Sequence, residues 1–401
     1  MRFPAIGFTH VRHLSHYASS SPGKLDALAR LVYRTKLRSA RALRLDGYRA
    51  RMPPLMTLQV NKRCNLRCVQ CWEWGDTGAY KTLPRADVGN ELPTAVWKKL
   101  IVEAAAWKPY LYFFGGEPLL RTDMTELIGL ASELGILTAL NSNSTMVTPA
   151  LAETIVRSGL DYFIASLDGP REINDRIRLG HDVFERVTAG IRALVDARRR
   201  LRSPFPIIEV CATVTAENHA HLVETAEVVN GLGVDYFKIQ LGMFTTRDLL
   251  RQTQARVTRE FGKVPRLLEG FVRETSSIDG SVVRAGEQEI LSRDWTFDFT
   301  RYPKPGVRGF DHEEFFAAPG KVYGEKLCHV PWKRAVVMPN GSVVGCPWLP
   351  EIAIGNIREK SFREIWDDEQ LRKFRRSLSE DGLLASCSRC CDLYELDEST
   401  A

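Results

Sequence analysis

From Met56 onward, short runs of β-branched and aromatic residues alternate with longer stretches whose apolar positions recur every three or four residues. The short runs, Thr57–Val60, Leu111–Phe114, Leu137–Asn141, Tyr162–Leu167, Ile207–Thr213 and Tyr236–Gln240, read as strands buried on both faces. Between them Pro93–Ala106, Asp123–Leu134, Pro149–Ser158, Val183–Arg198 and His219–Gly231 carry helical periodicity. Six strand–helix units in series predict an α/β fold, a partial (β/α)6 TIM-type barrel around a parallel sheet. Reactive groups in such folds gather at the C-terminal ends of the strands.

Outside 56–242 the pattern changes. Residues 1–55 form a basic extension in which Leu25, Leu28, Leu31 and Val32 give a helix from Lys24 an apolar stripe. Residues 243–326 read as a linker and a substrate-facing insertion, irregular and aromatic in its second half. In 327–401 the runs Val336–Pro339 and Ser342–Val344 flank Asn340-Gly341, which predicts a hairpin closed by a type I′ turn. Ser361–Leu378 then reads as a helix. The C-terminal module is thus a small β-hairpin plus helix.

Composition narrows the setting. With 44% hydrophobic and 26% charged residues, 401 residues suffice for a large core and a smaller module. The net charge of +6 is mild, and much of it lies between Lys24 and Arg51, so nucleic acid is not expected as a partner. That basic helix is suited to packing on the barrel or to peripheral contact with an anionic membrane surface. No signal peptide or membrane-spanning run is legible, so a soluble, cytoplasmic protein is expected.

The nine cysteines change the picture most. Cys64, Cys68 and Cys71 share one loop directly after the first strand, while Cys328, Cys346, Cys387, Cys390 and Cys391 cluster near the C-terminus. In a reducing compartment such grouping points to metal rather than disulfides. Three thiolates at spacings of four and three positions can bind three irons of a cuboidal cluster and leave the fourth iron open. Zinc is the alternative for the C-terminal group, because paired cysteines on a hairpin also make a zinc ribbon. Cys211, alone on a strand, reads as a buried thiol.

The triad, the strand–helix series and Gly115-Gly116-Glu117-Pro118 after the second strand resemble the radical S-adenosylmethionine enzymes. The resemblance implies a [4Fe–4S] cluster on Cys64, Cys68 and Cys71 whose open iron is chelated by S-adenosylmethionine. One electron then releases methionine and a 5′-deoxyadenosyl radical that takes a hydrogen atom from the substrate. It assigns the methionine amine to Gly115, Gly116, Glu117 and Pro118, the ribose region to Asn141, Ser166 and Asp168, and the cofactor carboxylate to Arg178. The two glycines would permit close backbone approach to the cofactor, and Asp168 could equally cap the following helix. The family places an aromatic residue before the third cysteine; here it is Gln70, so Trp72, Trp74 or the Gln70 amide would have to meet the adenine.

The C-terminal cysteines, with Gly355-Asn356-Ile357 and Phe362–Trp366, resemble SPASM and twitch auxiliary-cluster modules. Five cysteines fit a one-cluster form, an auxiliary [4Fe–4S] cluster on Cys328, Cys346, Cys387 and Cys390, with Cys391 as spare or replacement for Cys390. The function implied is a radical oxidation of a small or carrier-linked metabolite, of the aminocyclitol or sugar dehydrogenation kind, fed by a donor such as flavodoxin or ferredoxin. Maturation of a ribosomal peptide by thioether or carbon–carbon cross-linking is the alternative, and a non-catalytic electron carrier a third. Asp279, Asp294, Asp298, Asp311 and Glu313 are candidate bases with no spacing to rank them.

Overall fold

The structure is a computed structural model, and it describes residues 48–273, 277–324 and 326–395. The basic helix expected from Lys24, and any membrane contact through it, lies outside the described residues. The fold is built on one ten-stranded sheet. Its parallel part follows chain order through β1 (Leu55–Gln59), β2 (Tyr110–Phe114), β3 (Thr138–Ser142), β4 (Tyr162–Ser166), β5 (Ile207–Val214), β6 (Tyr236–Leu241) and β7 (Asp298–Tyr302). Helices α1 (Thr94–Ala104), α2 (Met124–Glu133), α3 (Pro149–Arg157), α4 (Arg171–Arg178), α5 (Val183–Arg200) and α6 (Leu222–Asn230) connect the first six strands. Helix starts follow local chemistry: Thr148 accepts from the Leu151 amide while Pro149 occupies the first turn of α3.

Alternation along each strand divides core from lumen. On β5, Ile208, Val210 and Ala212 are fully buried in the core that the helices share, whereas Glu209, Cys211 and Thr213 line a central cavity. The same division separates Phe237 and Ile239 from Lys238 and Gln240 on β6. Tyr110, Tyr162, Ile207 and Tyr236 pack together on the inner face as a separate apolar floor.

The partial barrel has a seventh parallel strand that the sequence reading placed in an irregular insertion. Between Gly242 and Lys326 the chain forms α7 (Arg247–Phe261), α8 (Gly280–Ser292), β7 and α9 (His312–Ala317). β7 is short and mostly half-exposed at a sheet edge, so its composition carries too little apolar alternation to announce it.

At the opposite edge β8 (Arg334–Val337) pairs parallel with β1, placing Arg334 beside Leu55, and β9 (Ser342–Val344) and β10 (Ala353–Asn356) continue antiparallel. The C-terminal module therefore extends the barrel sheet. Its last segment spans the gap between the two edges: Asp392 pairs with Arg334 on β8, and the Tyr302 hydroxyl on β7 donates to the Cys390 carbonyl at 2.8 Å.

Two local expectations are corrected. In the hairpin only Gly341 has positive φ, at 92°, and its amide donates to the Met338 carbonyl at 2.9 Å. Pro339 fixes the first central position of a type I turn and Gly341 takes the left-handed position after it, so the turn is not type I′. The helix expected over Ser361–Leu378 is broken into Phe362–Ile365 and α10 (Glu369–Glu380). At the break Asp367 adopts φ 77° and accepts from the Ala50 amide at 3.0 Å and Arg375 Nη1 at 2.7 Å, while Asp368 caps α10.

Candidate functional site

The Cys64–Cys71 loop leaves the C-terminal end of β1 and is braced on two sides. The Val69 amide donates to the Ile177 carbonyl of α4 at 2.8 Å, and the Glu117 amide to the Arg63 carbonyl at 2.7 Å. A Cβ at Gly116 would stand 2.2 Å from the Arg63 carbonyl oxygen, and one at Gly115 2.7 Å from that of Asn61. What these glycines approach closely in the structure is thus the backbone leading into the cysteine loop. The Leu66 and Trp74 amides point at the Cys64 and Cys71 sulfurs, at 3.4 and 3.3 Å. Burial pushes the Cys64 and Cys71 thiols up to about 12 and raises Cys68 as well, although the Arg178 charge opposes the shift at Cys68. A cationic metal centre would supply the compensation that drives such thiols to thiolates.

Glu117 is fully buried and accepts from Ser142 Oγ at 2.8 Å, the Asn143 amide at 2.8 Å and the Leu119 amide at 2.9 Å. Three of the carboxylate's roughly four lone-pair sites are thus taken by protein donors, and Glu117 is not among the residues that line the central cavity. Pro118 opens the one-turn helix that follows. Asp168 does not cap α4. It is 1% exposed, pairs with Arg178 Nη2 at 2.7 Å, and accepts from Gln70 Nε2 at 2.8 Å and the Thr213 amide at 2.9 Å. Arg178 is accordingly a buried, neutralised cation.

Gln70 and Arg178 face a cavity of about 760 Å³, together with Cys68, Cys71, Asn141 and Ser166. Trp72 lines it, stacked on Phe271 at 5.4 Å with Trp348 edge-on at 5.5 Å, whereas Trp74 braces the loop through Nε1 to the Lys62 carbonyl at 2.7 Å. Beyond these lie Tyr112, Glu209, Lys238 and Arg273, which sequence reasoning passed over. Their signal was present for Glu209 and Lys238: a charged residue at the inward phase of a strand otherwise built for burial. The proposed bases fall elsewhere: Asp279 and Asp311 cap α8 and α9, and Glu313 pairs with Arg284 at 2.8 Å.

Cys328, Cys346, Cys387 and Cys390 line a second void, of about 30 Å³, while Cys391 faces the large cavity. Met243, Pro347, Trp348 and Asp392 border both spaces, so one layer of side chains separates them. Among the described residues no three His, Cys, Asp or Glu side chains converge closely enough to hold a single metal ion. Cysteines that ligate different irons of one cluster stand farther apart than the ligands of one zinc.

The lumen carries unmet polar atoms suited to a nucleoside amino acid. Thr57 Oγ1, Gln70 Oε1, Asn141 Oδ1 and Arg178 Nε are buried on the cavity wall without a hydrogen-bond partner. Leaving such groups unpaired costs about 1–3 kcal/mol each. Two acceptors, a hydroxyl and a guanidinium N–H offer complementary contacts to the ammonium, carboxylate, ribose and base of S-adenosylmethionine.

A parallel partial barrel with a cysteine triad at its catalytic end and a second cysteine group across the cavity defines an iron–sulfur enzyme. Residues 58–249 match the radical SAM superfamily, and residues 328–391 the SPASM iron–sulfur cluster-binding domain. The chain belongs to the radical S-adenosylmethionine enzymes that carry a C-terminal SPASM domain; its cofactors are S-adenosylmethionine, a [4Fe–4S] cluster and auxiliary iron–sulfur. It is 28% identical over 344 residues to an AdoMet-dependent heme synthase of Methanosarcina barkeri, covering 84% of this chain and 88% of the relative. To the mycofactocin maturase MftC of Mycolicibacterium smegmatis it is 25% identical over 340 residues, 84% and 75% of the two chains. Its fold matches Streptococcus suis SuiB bound to S-adenosylmethionine with a TM-score of 0.60 at 14% identity, over 84% and 71% of the chains. No helix among the described residues is long and apolar enough to cross a membrane.

Proposed function

We propose that the protein carries out a radical-initiated, two-electron oxidation of a substrate with a large apolar body, a tetrapyrrole being the first reading. The observation that carries it is the cavity itself, which runs from Cys68 and Cys71 to the wall of the auxiliary void and is faced by Trp72, Phe271 and Trp348. At about 760 Å³ it stands high in the ~300–1,000 Å³ range of small-molecule sites, with room for a second molecule beside a nucleoside cofactor. The heme synthase relative supports the tetrapyrrole reading.

On this reading Cys64, Cys68 and Cys71 hold the cluster that binds S-adenosylmethionine, and Cys328, Cys346, Cys387 and Cys390 hold the auxiliary one. When bound and reductively cleaved, S-adenosylmethionine supplies the 5′-deoxyadenosyl radical that removes one hydrogen atom from the substrate. Gly115–Pro118 lie toward the cofactor ammonium, where Glu117 holds Ser142 and the Asn143 amide in place, Asp168 fixes Arg178 and Gln70 against the cofactor, and Asn141 and Ser166 meet the ribose region. The apolar wall excludes water from the substrate, and Trp348 stands between the substrate and the four cysteines that would hold the auxiliary cluster, which would accept the second electron. A flavodoxin or ferredoxin would deliver the initiating electron.

The second reading, peptide maturation, is favoured by the mycofactocin maturase relative. Dehydrogenation of an aminocyclitol or sugar is the same chemistry on a smaller substrate, and the aromatic wall argues for the larger body. The test is anaerobic turnover with coproporphyrin III or its iron complex, following product mass. A mass loss that depends on S-adenosylmethionine and reductant supports the reading; no change with either porphyrin, alongside turnover of a precursor peptide, overturns it in favour of the second.

A further inference from the structure

Arg273 is set into the cavity wall where the cysteine loop meets the aromatic wall. Its Nη2 donates to the Gln70 carbonyl at 3.0 Å, and its Nη1 to the Val272 carbonyl at 2.8 Å and to Thr77 Oγ1. All three acceptors are neutral. The two other arginines on the cavity wall are neutralised, Arg178 by Asp168 at 2.7 Å and Arg334 by Asp392. Among the described residues Arg273 forms no ion pair, and its guanidinium keeps an Nε–H and an Nη2–H without protein acceptors. Donors on adjacent nitrogens suit the two oxygens of one carboxylate.

The charge is also partly desolvated. Burial holds the Arg273 pKa below the usual arginine value, with Cys71 and Asp76 opposing the shift. A guanidinium keeps its proton under such conditions, so the site retains a poorly compensated cation and favours an anion. The adjoining surface sets the rest of the ligand's chemistry. Phe271, two residues before Arg273, stacks on Trp72 at 5.4 Å and meets Trp348 edge-on at 4.9 Å. A flat apolar body lying on this wall would bring an attached acid to Arg273 and hold its neighbouring carbons beside Cys71.

We propose that Arg273 anchors a carboxylate carried by the substrate, which makes an aromatic or macrocyclic acid the preferred ligand class. The proposal rests on the same cavity as the functional reading above, and its test is independent of which substrate is turned over. The probes are pyrenebutyrate and its methyl ester, titrated by fluorescence against the anaerobic holoenzyme, with coproporphyrin III as a second acid. The wild type is expected to bind pyrenebutyrate at least tenfold more tightly than the ester. In R273Q that preference disappears, and R273K keeps part of it, while iron content and S-adenosylmethionine affinity match the wild type. Equal binding of acid and ester by the wild type, or a preference that survives in R273Q, overturns the anchor. Loss of S-adenosylmethionine affinity in R273Q also overturns it, assigning the guanidinium to the cofactor. Coproporphyrin III that fails to bind, with the pyrenebutyrate preference intact, defeats only the tetrapyrrole reading and leaves the carboxylate to a peptide.

Discussion

Replacing Asp168 by Asn tests whether one buried carboxylate organises the cofactor side of the cavity. The substitution keeps size and shape, but it removes the charge that balances Arg178, and either amide orientation sets an N–H against a donor: Arg178 Nη2 at 2.7 Å and Gln70 Nε2 at 2.8 Å share one carboxylate oxygen, and the Thr213 amide faces the other at 2.9 Å. Arg178 is then left without a counter-charge in a site where its side chain is 6% exposed. Breaking a buried ion pair by removing one member costs about 3–5 kcal/mol. Unfolding entropy of about 2.1 cal/mol/K per residue makes each kcal/mol worth roughly 1.2 °C in a chain this long, so Tm should fall by about 4–6 °C. S-adenosylmethionine binding, read by equilibrium dialysis on the reconstituted protein, should weaken more than tenfold because Gln70 and Arg178 both lose their fixed orientation. The double variant D168N/R178M should be less damaged than the sum of the two single variants, since it leaves no unpaired guanidinium. A Tm within 1 °C of wild type for D168N, or strictly additive single effects, would refute the reasoning.

Three further outcomes follow from the geometry. G116A should fail to retain the first cluster, because its Cβ would meet the Arg63 carbonyl oxygen at 2.2 Å and the cysteine loop would have to shift; iron per chain and thermal melting report it. Of the adjacent thiols, C390A should lose about four irons while C391A keeps its full complement, since Cys390 lines the auxiliary void and Cys391 the substrate cavity. D367A should destabilise the protein by about 3–5 kcal/mol, because Arg375, whose side chain is fully buried, loses its only ion-pair partner among the described residues; a Tm matching wild type would contradict this.

The barrel was legible because its strands announce themselves twice, as apolar runs and as the places where turn motifs begin. Cys64, Cys68, Cys71 and Gly115–Pro118 were legible as strand-end residues, since each group follows a strand directly and strand C-termini converge in a parallel barrel. Other features depend on distant partners. Asp168 looked like a helix cap or a ribose ligand because its neighbour Gly169 and the α4 start are local, whereas Arg178, Gln70 and Thr213 reach it only in three dimensions. β7 was missed because an edge strand needs little apolar surface. The break at Asp367 was missed because periodicity through Phe362, Ile365, Leu371 and Phe374 continues across it, while the Ala50 amide and Arg375 that fix its left-handed backbone are contributed by tertiary structure. Arg273 carried no motif at all; its place beside Gln70 is set by the turn after α7 packing on the cysteine loop, where a Cβ at Gly270 would stand 2.1 Å from the Trp72 carbonyl oxygen.

The central claim is that the thiols at the strand ends serve a cluster that activates S-adenosylmethionine. Protein reconstituted anaerobically to about eight irons, two four-iron clusters, and reduced with dithionite should convert S-adenosylmethionine to equal amounts of methionine and 5′-deoxyadenosine, and C68A should form neither. Iron near four with one tightly held zinc would leave this claim standing and remove the auxiliary cluster; a fully loaded, reduced protein that yields no 5′-deoxyadenosine would contradict it.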